Sequence, residues 1–567
     1  MRELQLNPIL KNFKIKYRFK EILGIIFLII FALGLYLPYI ELKEFQGEEG
    51  RRALVALQML ETRNFLIPNI LGEPYFNKPP LFYWLLALVF SITNNCSEFV
   101  ARSVSTVMAL SGAVFLTFIW KNILKNSNIK YSFWSLLIPG LIFLTVPEVI
   151  DKAIRAEIDQ TYTFIITVSL FSWFYFYEIK NKKNLGFIIS GLFLGLGILS
   201  KTFQALSFFY LAIVPYFLFQ KRWKELLSLP HLLGIVTYLL VFLLWAIPVN
   251  FQIGFIPFLK AWISEYQTAA TTAEVPLIDH LSSFTIGVVI GYAPWIFFLI
   301  FYKHKEFKKF LNQYPSLKKI ALFSFCLFAF SYFFYFIFIG SRLRYILPSA
   351  GGFVFLTCLP VFYCFIHSHS FWKSRFFKTF YYGIIGFLVL SCCILTIYLM
   401  VAKPLQHIPV FLIFNLFCLF IFSLIFFISS RRKSSFTLIF AFLIVAVFFV
   451  KQIYTSFYYP YHQAHLNHFR NASVEIGNII TSDQKKDNSL YICKEIPHHI
   501  VYYLKYRFHI IENIIYSKYC DESYFKDWML VPAAYQLFHI NTENYKVYQL
   551  KIRKKDYLLI KKQGNSS

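Results

Sequence analysis

Apolar runs close to the length of a bilayer crossing recur along this chain, at 22–40, 103–120, 161–177, 203–219, 231–259, 281–302, 320–340, 379–402 and 408–430. A helix needs roughly 20 such residues to traverse the hydrocarbon core. Placing helices on all the apolar segments gives about thirteen spans on that criterion. One apolar segment breaks the pattern. "KPPLFYWLLALVFSIT" (78–93) holds only about 14 apolar residues after its prolines, the length of an interfacial or re-entrant helix. Residues 41–102 therefore form one long external loop with two membrane-surface helices, 48–62 and 79–94. Gly47 marks the first start and Pro79-Pro80 the second, since proline is preset for a first helical turn. The first run has a basic flank but lacks a small-residue cleavage site, so it is expected as a retained helix.

Beyond Val450 the pattern changes to short β-like runs, "SLYIC" (489–493) and "DYLLIKK" (556–562), beside a helical stretch, "QAHLNHFRNASVEIGNII" (463–480). The fold class expected is a polytopic α-helical membrane protein with a small C-terminal extracytoplasmic α/β domain. Residues 1–451 form the transmembrane domain, with the large external loop 41–102, and 452–567 form the external domain.

Composition supports that class. Of 567 residues, 57% are hydrophobic and 15% charged, with mean hydropathy +0.55; soluble domains average about 25% charged. The net charge of +27 is not spread evenly. One set of loops (11–20, 121–130, 178–184, 221–225, 303–309, 373–378, 431–433, with Arg2, Lys318 and Lys319) carries 27 Lys and Arg against five acids, Glu3, Glu21, Glu178, Glu225 and Glu306. The alternating set (41–102, 148–159, 199–203, 253–280, 340–345, 403–407) carries 13 against 14. The positive-inside rule makes the first set and the N-terminus cytoplasmic. Charge so placed orients a membrane protein and gives no reason to expect nucleic acid as a partner. The nine cysteines show neither a disulfide framework nor zinc spacing; Cys493 and Cys520 either pair in the external domain or are two free thiols.

The external loops gather Glu48, Glu49, Arg51, Arg52, Lys78, Arg102, Asp151, Arg155, Asp159, Lys201, Arg342 and Arg344 beside the apolar segments. Charges at that boundary are costly unless paired or wet, and mark function by default. The plainer alternatives are snorkelling at helix ends and, for Glu48, pairing with Arg51 or Arg52 a helical turn away. Lysine and arginines on one face suit phosphate; carboxylates beside them orient the cations, bind sugar hydroxyls or take a proton. With aromatic-rich spans to hold a tail, these point to a phosphate-headed lipid substrate approached from outside. Neither a GxxxxGK[ST] loop nor a GxGxxG turn is present, so a lipid-linked donor is the expected energy source. A secondary transporter would bury ionisable groups near the midplane on broken helices, and the apolar runs here are almost free of charge. A ligase or polymerase of lipid-linked glycans would share the donor.

"GEEGRRALVALQMLETRNFLIPNILGEPYFNKPPLFYW" (47–84) resembles the first external loop of the lipid A aminoarabinose transferase and protein O-mannosyltransferase-like family, in the GT-C class of membrane glycosyltransferases. "ARSVS" (101–105), "RAEID" (155–159), "LSKTF" (199–203), "APW" (293–295) and "RYILP" (344–348) match in the same order. The resemblance implies a GT-C fold in a bacterial inner membrane. It also implies transfer from a polyprenyl-phosphate sugar donor to a glycolipid or protein acceptor outside. Glu48 stands at the family's catalytic aspartate, Lys78 at the lysine on the donor phosphate, and Asp159 at a second functional acid. Glu49, Arg51, Arg102, Arg155, Lys201, Arg342, Arg344 and Tyr345 fall at matching or neighbouring substrate positions. Asn77 replaces a glutamate that resembles a metal ligand in the aminoarabinose enzyme. Glu274 and His280 are the nearby candidates for its histidine, so a divalent metal stays open and none is assigned.

Overall fold

A computed structural model describes residues 8–271, 276–367, 436–453, 467–482, 489–493, 496–517, 527–534 and 545–562, with isolated positions 379, 383, 386 and 455. The expected spans 379–402 and 408–430 lie outside the described residues, save three isolated positions.

In chain order, α1 (Pro8–Tyr36) leads to α2 (Glu49–Thr62), the two-residue strands β1 (Asn69–Ile70) and β2 (Glu73–Pro74), and α3 (Leu81–Thr93). Then come α4 (Glu98–Asn126), α5 (Phe133–Thr145), α6 (Pro147–Ala153), α7 (Ile158–Phe174), α8 (Lys183–Lys201), α9 (Gln204–Phe219), α10 (Leu229–Ile253) and α11 (Ile256–Thr271). The bundle continues with α12 (Leu277–Gly291), a 3-10 segment (Trp295–Lys303), α13 (Lys305–Gln313), α14 (Pro315–Ile337), α15 (Ala350–Ile366) and α16 (Phe436–Ile453). Among the described residues six helices are long and apolar enough to cross a membrane, and up to eight if each of two bent pairs is one span. The pairs are α5 with α6, bent by 65°, and α12 with the 3-10 segment, bent by 100°. The chain is a multi-pass membrane protein.

The two surface helices form within two residues of the expected bounds. Gly47, at φ +58, turns the chain into α2. Its apolar face, Ala53, Leu54, Val55, Ala56, Leu57 and Met59, is buried, and Arg63 ends the helix in the left-handed region. Pro80 caps α3, which Asn94 ends likewise. At 1.5 Å per residue, the 13 residues of α3 reach about 20 Å, short of the roughly 30 Å hydrocarbon core. The loop between them is pinned to the bundle: Trp84 donates to the Phe65 carbonyl at 2.6 Å, Trp245 to Leu66 at 2.9 Å and Trp262 to Phe76 at 2.9 Å.

The C-terminal residues form a five-stranded sheet, ordered β4 (Ile514–Ser517), β3 (Leu490–Cys493), β5 (Trp528–Pro532), β7 (Lys555–Lys562), β6 (Tyr545–Ile552). The β3 pairings are parallel; β5–β7 and β6–β7 are antiparallel. Cys493 is disulfide-bonded, while Cys520 lies outside the described residues. Helix α17 (His468–Thr481) and the short α18 (His498–Val501) face the first loop. Buried Glu44 accepts from the Phe469 and Arg470 backbone N–H groups at 2.7 and 3.0 Å, an anion at the start of α17. Buried Glu98 accepts from Arg470, from Tyr503 at 2.9 Å and from Arg507 at 3.0 Å.

Candidate active site

Glu48 stands at the N-cap of α2, about a third exposed, with Arg51 at 2.8 Å and Arg52 at 3.5 Å. The pairing expected one turn away is therefore formed, and it leaves the carboxylate open to a ligand. Arg52 is buried and donates to the Tyr75 and Tyr83 hydroxyls at 3.1 and 2.5 Å. Those tyrosines bracket Lys78, so α2 anchors the Lys-Pro-Pro turn from both sides. Lys78 is half-buried, immediately before Pro79 and Pro80.

Next to α2 lies a second cluster. Lys201, at the end of α8, donates to Asp159 in the first turn of α7 at 2.5 Å. Arg344 Nη1 lies 3.8 Å from Glu157 and 3.9 Å from Asp159. Lys152 bridges Asp151 at 3.0 Å and Glu157 at 3.5 Å, and Arg155 pairs with Asp151 at 2.7 Å. Tyr345 offers its ring to Lys201 and Arg344, at 5.4 and 5.8 Å, a favourable face for cations. A methyl group on Gly47 would sit 3.6 Å from Glu157, so the clusters adjoin. Arg342, expected with them, is exposed at the start of the 343–345 turn.

Two expected substrate contacts are corrected. Arg102 and Glu49 are buried and paired, Nε to Oε1 at 2.7 Å and Nη2 to Oε2 at 2.8 Å. The other Arg102 N–H bonds reach the carbonyls of Ile40, Lys43 and Glu44, so all five donors are engaged within the protein. Glu49 also accepts from Gln46 and Ala156. Burial alone would raise the Glu49 carboxyl; the Arg102 charge and these bonds outweigh it and hold the group low. The pair braces the loop 40–49 against α4 and residue 156, leaving no donor for a phosphate.

Sequence reasoning passed over Glu157 and Lys152, though "RAEID" places Glu157 two residues before Asp159. It also passed over His498 and His499, for which no local signal exists. A cavity of about 720 Å³ lies between the start of α2 and the C-terminal residues, lined by Gly47, Arg51, His498, His499, Arg553 and Lys555 among others. Among the described residues no group of three or more His, Cys, Asp or Glu could hold a metal ion. Asn77 is exposed and His280 buried on α12, while Glu274 lies outside the described residues.

A model for dolichyl-phosphate-mannose-protein mannosyltransferases matches residues 77–247. Among curated proteins, the undecaprenyl phosphate-alpha-4-amino-4-deoxy-L-arabinose arabinosyl transferase of Enterobacter sp. (strain 638) is 30% identical over 230 residues, 39% of this chain and 40% of its own. A second transferase of that name, from Pseudomonas fluorescens (strain Pf0-1), is 31% identical over 225 residues, 39% and 40% of the two chains. The chain thus spans about 40% of the length of these curated relatives. The crystal structure of ArnT from Cupriavidus metallidurans bound to undecaprenyl phosphate superimposes over 95% of this chain and 98% of that one, with a TM-score of 0.66 at 14% identity. The chain shares the fold of ArnT. The ArnT likeness runs through both the bundle and the C-terminal sheet, whereas the sequence matches cover under half of the chain.

Proposed function

We propose that this protein is an integral-membrane glycosyltransferase moving a sugar from a polyprenyl-phosphate donor to a lipid A-like glycolipid or a protein acceptor on the extracytoplasmic side. The observation that carries it is the adjoining of two charged clusters, Glu48–Arg51–Arg52 and Asp159–Lys201–Arg344, beside apolar helices. The relatives' names supply the donor class. In this reading residues 1–451 form a GT-C transmembrane domain of about thirteen spans in a bacterial inner membrane, with the N-terminus cytoplasmic. Residues 452–567 form an external domain, a placement supported by the bonded Cys493, since disulfides persist in oxidising compartments.

The acceptor oxygen attacks the anomeric carbon as its bond to the donor phosphate breaks. The acceptor's proton passes to Glu48, and polyprenyl phosphate leaves. Lys78, with Arg51, Arg342 and Arg344, neutralises the growing phosphate charge, which counts for more in a water-poor site. Asp159, held by Lys201, positions the sugar, and direct displacement inverts the anomeric centre.

The test is turnover of a panel of radiolabelled polyprenyl-phosphate sugars by purified protein in a membrane lipid extract, against Lys78→Ala and Glu48→Gln. Release of free polyprenyl phosphate by wild type and its loss in both variants supports the reading. Donor left unconsumed, or variants matching wild type, refutes it.

A further inference from the structure

The cavity above α2 has one wall from the first loop and another from the C-terminal residues, which the mechanism above does not use. His498, at the start of α18, lines this cavity together with Arg51, one helical turn beyond Glu48. Its Nδ1 is enclosed and has no hydrogen-bond partner among the described residues, and the same holds for Nε2 of the neighbouring His499. Such buried, unpaired nitrogens carry a desolvation cost that a bound group or an ordered water would relieve. The His499 ring is held firmly. His499 stacks on Phe469 at 4.3 Å with the rings nearly parallel, and lies so close to α2 that a methyl group on Gly50 would meet it at 2.7 Å. Burial and the Arg51 charge, against a smaller pull from Glu48, hold the His498 ring neutral down to about pH 4. A neutral imidazole offers one donor and one acceptor. At the far rim the exposed hairpin residues Arg553, Lys554 and Lys555 face the same space.

We propose that His498 is a positioning residue for the acceptor: the C-terminal residues close the cavity over Glu48, and the imidazole N–H binds the acceptor headgroup so that its reacting oxygen faces that carboxylate. This rests on the transferase reading above. Lys78 and Arg344 serve the donor; His498 serves the acceptor alone. Its loss therefore acts on one substrate and spares the other.

The experiment compares wild type, His498→Ala and His498→Gln with a donor from the panel above and lipid A as the acceptor probe. Binding of undecaprenyl phosphate is measured in parallel by intrinsic fluorescence. Alanine is expected to lower kcat/KM for lipid A by about ten- to a hundredfold, the scale of a lost orienting contact, chiefly through KM. Undecaprenyl phosphate binding should stay within about twofold of wild type, and glutamine, which keeps a donor and an acceptor, should recover most of the loss. The proposal is overturned if His498→Ala matches wild type, if undecaprenyl phosphate binding falls in step with transfer, or if glutamine is no better than alanine. If wild type consumes no donor at all, the transferase reading fails and this inference fails with it. If wild type turns over and only the His498 pattern is missing, this inference alone fails.

Discussion

At the scale of single residues, the loop charges divide by how many of their bonds end inside the protein. Arg102 spends every donor on Glu49 and three carbonyls. Removing one partner of such a buried pair strands the other, at about 3–5 kcal/mol. Arg102→Met should therefore lower the unfolding midpoint in detergent sharply, and lose activity only in proportion to folded protein. Arg51 is a third exposed, and its pair with Glu48 is worth under about 1 kcal/mol. Arg51→Ala should melt close to wild type while its turnover falls at least about tenfold, because the Glu48 carboxylate loses its orienting partner. Finding the activity loss in Arg102→Met alone would reverse the two assignments. Sequence marked both arginines equally. What separates them is burial, and burial here is set by a loop folding over α4.

Elements were more legible than residues. The length of the stretch after Pro79-Pro80 foretold a helix too short to cross, and α3 is that helix. Gly47 foretold where α2 begins. Hidden from the sequence was the reason Gly50 follows so closely: the first turn of α2 meets the His499 ring of a helix more than four hundred positions later in the chain. No local pattern carries that contact. Gly50→Ala should push the two elements apart, costing about 1–3 kcal/mol as overpacking does, and His499→Ala in the same chain should restore the loss. A thermal melt of the single and double variants reads this directly; additive losses would show that the contact is not the cause.

Across the whole molecule, the C-terminal residues are tied to the first loop by buried polar groups with titration behaviour of their own. His499 is buried, and burial lowers its pKa from 6.5 to about 4, with a smaller opposing pull from Glu49. The unfolded ring thus takes up a proton between those values while the folded one does not. The stabilising difference is present above pH 6.5 and is lost as pH falls toward 4, by up to about 3 kcal/mol. Protection factors for hydrogen exchange in 468–481, taken against the intrinsic rate at each pH, should fall between pH 7 and pH 5 in wild type, and less so in His499→Phe. An equal fall in both would place the titrating group elsewhere. The overall class was readable from the spacing of apolar runs and the alternation of loop charge, both of which register the bilayer. The docking of the C-terminal sheet was not, because its ties join residues far apart: Glu44 to Asn467, 423 positions on, and Glu98 to Arg507, 409 on.

Those ties set an order of events during biogenesis. Helices α2 and α3 are made early, but the buried carboxylates of Glu44 and Glu98 acquire their partners only after residues 467–507 have been translated. Until then two acidic side chains destined for burial must stay hydrated at the membrane surface. The nascent protein therefore passes through a stage in which its helices are made while the roof of its cavity is absent, so the pocket closes only once residues 468–557 have followed.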